Sequence, residues 1–234
     1  MSEAWEILWD RAMLALDSLK RDVDWSFGSG TAMRLFHDHR ESKDVDIFVI
    51  DPYVISALSP RLNGITERLT GDYSEMSNFL KLRFPEGAVD FIIAPKLVDD
   101  VPFVERVVRG RSAKVESPLE IVAKKCFYRA DDFTARDIFD LAVLIHDEPQ
   151  AVERHRGILL AKRSNLERRL GMMRLPNGAD AAAAARAASA RERVQEGLGA
   201  IAARPAYAWV KSSAIDTVLR FLEPQQHDSG PATR

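Results

Sequence analysis

Two carboxylates at alternate positions mark the start of an apolar segment. Asp44 and Asp46 open the run at residues 47–50, whose composition is typical of a strand. Alternate side chains of a strand point to the same face, so the two carboxylates project together. Such a pair repels itself and needs a cation. Hard oxygen ligands of this kind suit Mg²⁺, which usually also takes substrate phosphates as ligands.

A glycine-rich turn lies upstream of this pair, at residues 28–30, and leads into a short helical segment. Backbone N–H groups exposed at a helix start form a site for phosphate. A phosphate-binding turn beside a carboxylate pair is the minimum equipment for metal-assisted phosphoryl or nucleotidyl transfer. Arg40 adds a guanidinium, which matches phosphate bidentately. The predicted nucleotide-binding residues are Gly28, Ser29, Gly30, Thr31, Arg40 and Ser42.

A third acid, Asp90, lies in the β-rich run at residues 87–93, which follows a hairpin partner at residues 79–84. If the strands carrying Asp44 and Asp90 are neighbours, three carboxylates converge at one sheet end. That geometry holds two Mg²⁺ ions about 3.5–4 Å apart, with Mn²⁺ as an alternative metal. Asp90 is then the third metal ligand or the general base. A D-x-D pair alone is common on solvated strand ends, and the turn and Asp90 are what favour the metal site.

The bulk properties are those of a globular protein. The chain has 234 residues, of which 46% are hydrophobic and 29% are charged. Its one cysteine, Cys126, lies in an apolar helical stretch and is interpreted as core packing. The first residues lack a basic n-region, and no apolar run approaches the length of a membrane span. We expect a cytoplasmic protein that has no membrane partner.

Charge is distributed unevenly along the chain. Residues 1–100 contain 11 Lys and Arg against 18 Asp and Glu, whereas residues 101–234 contain 22 against 17. An acidic half suits metals and a basic half suits a polyanion, although ordinary solvation explains the asymmetry equally well. Bases that would follow a phosphate backbone are Arg154, Arg156, Lys162, Arg163, Arg168, Arg169 and Arg174. No aromatic residues alternate with them, so recognition by shape and charge is expected.

Hydrophobic periodicity predicts a mixed-sheet α/β (α+β) domain followed by a mostly helical half. The predicted strands are 25–27, 45–50, 79–84 and 87–93, and residues 95–117 form a bridging segment. The predicted helices are 3–21, 31–37, 118–129, 134–146, 151–173, 181–203 and 205–222. The predicted domains are a catalytic domain at 1–112, a helical domain at 113–224 that completes the active site and contacts substrate, and a disordered tail at 225–234.

A second group of charged residues lies on two predicted helices. Lys125 and Arg129 are four residues apart and share a face, as do Asp137 and Asp140, which are three apart. A lysine that reaches the triphosphate would neutralise charge on the leaving pyrophosphate. The alternative is a structural ion pair between Lys125 and one of the two acids. Whether Lys124 or Lys125 is the functional lysine depends on helix phase, and the A-x-K spacing from Ala123 favours Lys125.

Two histidines at alternate spacing, His37 and His39, could suggest zinc, but no cysteine or further histidine cluster supports it. We expect His39 and Arg40 to line the phosphate side of the cleft instead.

Several segments together resemble the AbiEii/AbiGii nucleotidyltransferase family. They are S-G-T-A-M-x-L, H-R-x-S-x-D-V-D-I-F, P-L-E-I-V-A-K-K-C-F-Y-R and A-R-D-I-F-D-L, within residues 25–146. The family comprises toxin components of type IV toxin–antitoxin and phage-abortive systems, including the mycobacterial MenT toxins, and has a polymerase-β-like fold. It usually shows Gly-Gly-Thr-Ala-Leu, whereas Ser29 and Met33 stand here in place of the first glycine and the leucine.

The resemblance implies metal ligands at Asp44 and Asp46, and makes Lys125 and Asp137 essential partners. Arg136, Asp140 and Arg129 are further candidates nearby. It implies transfer of a nucleotide from an NTP to RNA at the 3′ end of tRNA, arrest of translation, and a cognate antitoxin protein. Two alternatives remain open. One is a nucleotidyltransferase that modifies a protein side chain or a small molecule, and the other is a non-catalytic nucleotide- or RNA-binding module.

Overall fold

The computed structural model describes residues 3–171 and 192–224, which form a seven-stranded mixed sheet packed against helices. This confirms the predicted α/β fold class. The strands are β1 (Trp25–Gly28), β2 (Val45–Val49), β3 (Tyr73–Met76), β4 (Phe79–Phe84), β5 (Gly87–Ile93), β6 (Val104–Val108) and β7 (Arg111–Val115). The helices are α1 (Ala4–Asp17), α2 (Ser29–His37), α3 (Tyr53–Leu58), α4 (Gly64–Leu69), α5 (Pro118–Tyr128), α6 (Ala135–Asp147), α7 (Pro149–Arg154), α8 (Arg156–Leu159), α9 (Arg163–Gly171), α10 (192–200) and α11 (Val210–Leu222).

The sheet has the strand order β3-β4-β5-β2-β1-β7-β6, with β2 at its centre. β2 pairs antiparallel with β1 and parallel with β5, and in the second pairing Asp46 lies opposite Asp90. Val45, Ile47 and Val49 are buried, so the alternate residues of β2 face away from that side of the core. The strands that carry the acids are therefore neighbours, as the three-carboxylate hypothesis requires.

The prediction of a strandless bridge between residues 95 and 117 is wrong. β6 and β7 form a hairpin there, and β7 pairs parallel with β1. β6 buries only Val108, and β7 buries only Ala113 and Val115, so both strands gain much of their stability from pairing. The boundary predicted at residue 112 consequently falls inside a strand of the sheet. β3 was also missed, since its four residues are at most half-buried and it lies at the sheet edge.

The long helix predicted at residues 151–173 is wrong over its described part, which consists of α7, α8 and α9. The first break is at His155, which is buried and whose side chain contacts Asp100 and the Ala151 carbonyl. This is a tertiary contact, so no breaker residue announces it. Of the predicted helix 181–203, residues 192–200 are helical and most of the rest lies outside the described residues, as does the predicted tail at 225–234.

Most of the arginines within residues 154–169 bind groups of this chain. Arg156 donates to the backbone carbonyls of Phe221 and Glu223, and Arg169 donates to the Phe133 carbonyl. Arg163 pairs with Glu167 and Arg168 pairs with Asp131. These contacts weaken the interpretation that the segment follows a phosphate backbone. Arg174 lies outside the described residues.

The core lies between the sheet and the helices, and Trp9 of α1 packs against Trp25 and Phe27 of β1. Cys126 is buried within it, and burial raises the pKa of its thiol to about 12. The interpretation of this cysteine as core packing is confirmed. Within the ranges that the structure describes, no helix has the length and apolar character needed to cross a bilayer.

Candidate active site

A cleft with a volume of about 1210 Å³ lies between the sheet and the helical half. This exceeds the roughly 300–1,000 Å³ of a site for one small molecule. Acids and bases both line it. The acids are Glu3, Glu41, Asp44, Asp46, Asp90 and Asp137, and the bases are Arg34, Lys43, Arg40, Lys81, Lys125, Arg129, Arg136 and Arg204. Every predicted catalytic residue is thus brought to one cavity.

The sheet side of the cleft is an acid edge, formed by Asp44, Asp46 and Asp90. Asp46 and Asp90 are direct neighbours across the parallel pairing of β2 and β5. Asp44 precedes β2, and its Oδ1 accepts the Ala88 N–H at 2.9 Å. Asp90 is buried, and its Oδ2 lies 2.8 Å from the Lys81 ammonium, whereas its Oδ1 has no partner among the described residues.

Burial and mutual repulsion both shift the pKa values of these acids. Burial and the nearby Asp90 raise the pKa of Asp46 to about 7, although a hydrogen bond from the Ser29 side chain opposes the shift. Burial likewise raises the pKa of Asp90, against the attraction of Lys81. Part of Asp46 remains open to the cleft. The acid edge is therefore short of positive charge where it faces solvent.

The turn before α2 combines strain with contact to the acid edge. Ser29 has a φ of 63°, a left-handed conformation that costs an L-residue about 1–2 kcal/mol. A glycine at this position would adopt that conformation freely. The serine hydroxyl gains in exchange its hydrogen bond to Asp46. The turn is therefore tied to the carboxylate beside which it lies.

Packing fixes the predicted glycines of the turn. A Cβ on Gly28 would lie 2.4 Å from Glu116 Oε2, and one on Gly30 would lie 2.6 Å from an Arg40 nitrogen. Both glycines are required by close approach of protein atoms. This role was not foreseen from the sequence, and it is compatible with the predicted phosphate site at the turn.

Thr31 and Ser42 connect the turn to the acid edge. Thr31 is buried, and its Oγ1 lies 2.9 Å from Ser42 Oγ and 2.5 Å from the Asp44 carbonyl oxygen. Thr31 therefore holds α2 against the chain that enters β2. Its side chain is used for positioning, while Ser42 remains at the cleft surface.

The helical side of the cleft is organised by one carboxylate, Asp140. Its two oxygens accept hydrogen bonds from Arg40 Nε and Nη2, each at 2.7 Å. Asp140 also binds His39 Nε2 at 2.8 Å and the Lys125 ammonium. Burial alone would raise the pKa of Asp140, but Arg40 and Lys125 overcome this and hold the pKa well below its usual value. Asp140 is thus a buried anion surrounded by donors.

This arrangement corrects two predictions about the phosphate side of the cleft. The bidentate edge of Arg40 is occupied by Asp140 and so does not face a phosphate. His39 is fully buried beneath the cleft, where burial lowers its pKa, and it does not line the cavity. Sequence spacing cannot distinguish a guanidinium that faces a ligand from one that faces a carboxylate a hundred residues away.

Lys125 is held by two acids. Its Nζ lies 3.1 Å from Asp137 Oδ1 and is also bound by Asp140. Asp137 is itself fixed by the capping box of α6, because Thr134 donates its N–H and hydroxyl to Asp137 Oδ2. Arg129 makes a further contact with Asp137 at 3.4 Å. The predicted contact between Lys125 and Asp137 is therefore present.

Lys124 faces away from the cleft, as the helix phase predicts. Its ammonium lies 2.6 Å from buried Glu116, which also accepts the Ser26 hydroxyl at 2.7 Å. It therefore supports the floor beneath the Gly28 turn.

Two cleft bases have no charged partner among the described residues. They are Lys43, which is exposed and directly precedes Asp44, and Arg136, which is exposed in the first turn of α6. The other six bases of the cavity each pair with a carboxylate. Lys43 and Arg136 can therefore meet a ligand without first releasing a carboxylate within the described residues.

The C-terminal half contributes a wall that the sequence did not reveal. Residues 200–204 lie along residues 39–41, through a bridge between Arg40 and Ala203 and a hydrogen bond from Glu41 N to the Ala202 carbonyl. Arg204 adds a contact to Asp38 at 3.2 Å. No local signal in an alanine-rich stretch could have indicated this pairing. Lys81 could have been found, because the hairpin register places it opposite Asp90.

The acid edge has suitable donors for a divalent metal. Carboxylates are the ligands that Mg²⁺ prefers, and the buried Asp90 Oδ1 lacks a partner among the described residues. The predicted three-ligand site is not assembled, however: within the described ranges, no three His, Cys, Asp or Glu side chains are grouped to hold a metal. Asp44 is engaged by Ala88 and Asp90 by Lys81. Asp44 and Asp46 are the residues that would hold the ion.

The chain matches a known family over most of its length. Residues 11–213 match the family described as Nucleotidyl transferase AbiEii toxin, Type IV TA system. No curated protein matches in sequence.

Two solved structures have a related arrangement. The antibiotic-resistance factor ANT(2'')-Ia is 18% identical with a TM-score of 0.48, over 70% of this chain and 95% of that chain. MenT4, a nucleotidyltransferase toxin from Mycobacterium tuberculosis H37Rv, is 16% identical with a TM-score of 0.42, over 92% of each chain.

The raised pKa of Asp46 predicts that metal-free protein is destabilised as pH rises. The folded-state pKa of about 7 exceeds the ordinary value of 3.8, so the folded chain binds an extra proton between these values. We expect Asp46→Asn to melt a few degrees above wild type at pH 8 in EDTA, since about 1 kcal/mol shifts the melting temperature by about 2–4 °C. The difference should shrink as pH falls from 8 towards 4. Asp99→Asn, at an exposed position outside the cleft, is the control, and a difference independent of pH would contradict the assignment.

Removal of the Asp140 charge should destabilise the fold. In Asp140→Asn, Arg40 and Lys125 lose a buried counter-ion, which costs about 3–5 kcal/mol. Urea unfolding followed by circular dichroism measures the loss. Asp131→Asn removes an exposed pair with Arg168 and should leave the stability nearly unchanged. Equal losses in the two variants would show that Asp140 is not the organising anion.

Proposed function

We propose that this chain transfers a nucleoside monophosphate from an NTP to RNA. The chain belongs to the AbiEii nucleotidyltransferase toxin family of type IV toxin–antitoxin systems, and the proposal follows from that membership. The acceptor we propose is the 3′ end of tRNA, and the cellular location is the cytoplasm. The single observation that carries the proposal is the acid edge facing Lys125 across one cleft. A cognate antitoxin is the proposed protein partner.

The acid edge supplies the groups for an in-line displacement. An acceptor hydroxyl oxygen bonds to the α-phosphorus, the bond from that phosphorus to the bridging oxygen breaks, and pyrophosphate leaves. A divalent ion held by Asp44 and Asp46 would supply charge neutralisation at the phosphates. The hydroxyl proton passes to a carboxylate, and Asp90 is the proposed acceptor. Its Oδ1 is buried and has no hydrogen-bond partner within the described part of the chain.

Lys125 is suited to the departing pyrophosphate. Its ammonium lines the cleft, and contacts with Asp137 and Asp140 restrict a side chain that is otherwise flexible. A fixed charge needs no reorganisation when negative charge develops on the leaving group. The turn at residues 28–30 provides backbone N–H groups at the start of α2 for the terminal phosphates.

An RNA acceptor is supported by the dimensions and charges of the cleft. Its volume exceeds that of a typical site for one small molecule, which leaves room for a nucleotide and the end of a second substrate. Lys43 and Arg136 are exposed and have no charged partner among the residues that the structure describes. Free cations at exposed positions suit a polyanion that extends beyond the cavity.

Transfer to RNA is tested with each α-³²P-labelled NTP and Mg²⁺, using purified tRNA, total RNA and total protein as acceptors. We expect label at the tRNA 3′ end with wild type, and less than a few per cent of it with Asp44→Asn or Asp46→Asn. Label on protein would favour the side-chain alternative. No incorporation with either Mg²⁺ or Mn²⁺ would favour a non-catalytic binding module. Retained transfer in both variants would rule out this acid pair as the metal site.

Removing the charge of Lys43 or Arg136 should weaken RNA binding and leave NTP binding unchanged. Lys43→Gln and Arg136→Gln should raise the KM for RNA and leave the KM for NTP unchanged. Each lost phosphate contact should reduce the slope of log K against log salt by about 0.7–0.9. Lys20→Gln removes an exposed base that does not line the cleft and is the control. A raised KM for NTP with an unchanged salt slope would assign these residues to the triphosphate instead.

A further inference from the structure

The ammonium of Lys81 occupies a place among the cleft acids. Lys81 lies on β4 directly opposite Asp90 on β5, and the two side chains meet at 2.8 Å. The side chain of Lys81 is 35% exposed and lines the cleft, whereas that of Asp90 is 12% exposed. The lysine therefore reaches over a nearly buried carboxylate from the solvent side.

We propose that the Lys81 ammonium is a built-in cation for Asp90, so that the acid edge takes one divalent ion, through Asp44 and Asp46, and not two. The inference rests on the proposed metal-dependent function. Lys81 is a positioning residue on this view, because it acts through Asp90.

Charge balance supports a single metal ion. Asp44, Asp46 and Asp90 carry three negative charges when ionised, and Lys81 supplies one positive charge. One divalent cation then neutralises the substrate-free edge, whereas a second would leave it with excess positive charge. The absence of a grouped three-acid site among the described residues agrees with this, since Asp90 Oδ2 is directed to Lys81.

The contact with Lys81 gives the two carboxylate oxygens of Asp90 different surroundings. Lys81 holds Oδ2, and Oδ1 is buried and has no hydrogen-bond partner within the described residues. Oδ1 is thus left to accept the proton of the acceptor hydroxyl as its oxygen bonds to the α-phosphorus and pyrophosphate departs. Of the two roles open to Asp90 from the sequence, this arrangement favours the general base over the third metal ligand.

The alternative is that the Lys81–Asp90 ion pair only stabilises the fold. A partly exposed ion pair contributes little to stability. Lys114 on β7 and Asp24, which directly precedes β1, form a more exposed pair at 2.6 Å outside the cleft. A purely structural Lys81 would behave in every assay as Lys114 does.

The experiment counts Mn²⁺ ions bound per chain in the absence of nucleotide, by electron paramagnetic resonance of the free ion. We expect one ion for wild type, for Lys81→Arg and for the control Lys114→Met. We expect two for Lys81→Met, because Asp90 is then free to ligate. Lys81→Gln repeats the test if Lys81→Met does not fold, as judged by circular dichroism.

Two Mn²⁺ ions in wild type, or equal counts in wild type and the Lys81 variants, would overturn the inference. The labelled-NTP assay with wild type separates this result from failure of the proposed function. Transfer to RNA by a wild type that binds two ions would overturn the role of Lys81 alone. A second site that opens in Lys81→Met, in a protein that labels no acceptor, would leave the role of Lys81 standing and remove the proposed reaction.

Discussion

A single buried carboxylate, Asp140, holds the two halves of the cleft together. It receives donors from the loop before β2, through His39 and Arg40, and from α5, through Lys125. A fully buried anion is expensive unless donors surround it, so the chain segments that carry these donors cannot separate without leaving charge unpaired. The position of Lys125 relative to the sheet follows from that constraint.

The two sides of the cleft treat their charges in opposite ways. On the helical side each buried charge is matched, with Arg40 and Lys125 against Asp140 and with Asp137 inside its capping box. On the sheet side the acids remain in excess, and burial together with the nearby Asp90 raises the pKa of Asp46. A matched wall is rigid and preorganised, whereas an unmatched edge attracts cations. This division is suited to holding a metal-bound polyphosphate between a fixed lysine and a carboxylate pair.

The turn between β1 and α2 shows how closely packing and chemistry share residues. Gly28 fits against buried Glu116, and Gly30 fits against Arg40, which is itself bound to Asp140. Ser29 accepts a strained φ and binds Asp46. The turn is thereby connected to both the acid edge and Asp140, and residues 200–204 pack along residues 39–41 in the same region.

Local patterns in the sequence predict the fold class, the family, the candidate acids Asp44, Asp46 and Asp90, and the orientation of Lys125 towards the cleft. These predictions are possible because strand alternation, helix phase and hairpin register are short-range properties. The partner that each charged side chain meets depends instead on tertiary packing. Arg40 was expected to face phosphate and is bound by Asp140, and the basic segment after residue 149 forms three short helices whose arginines turn largely to protein partners. The β6–β7 hairpin and the wall at residues 200–204 were likewise set by pairing with distant strands. Contacts between residues far apart in the chain depend on how whole elements pack, and no local pattern encodes them.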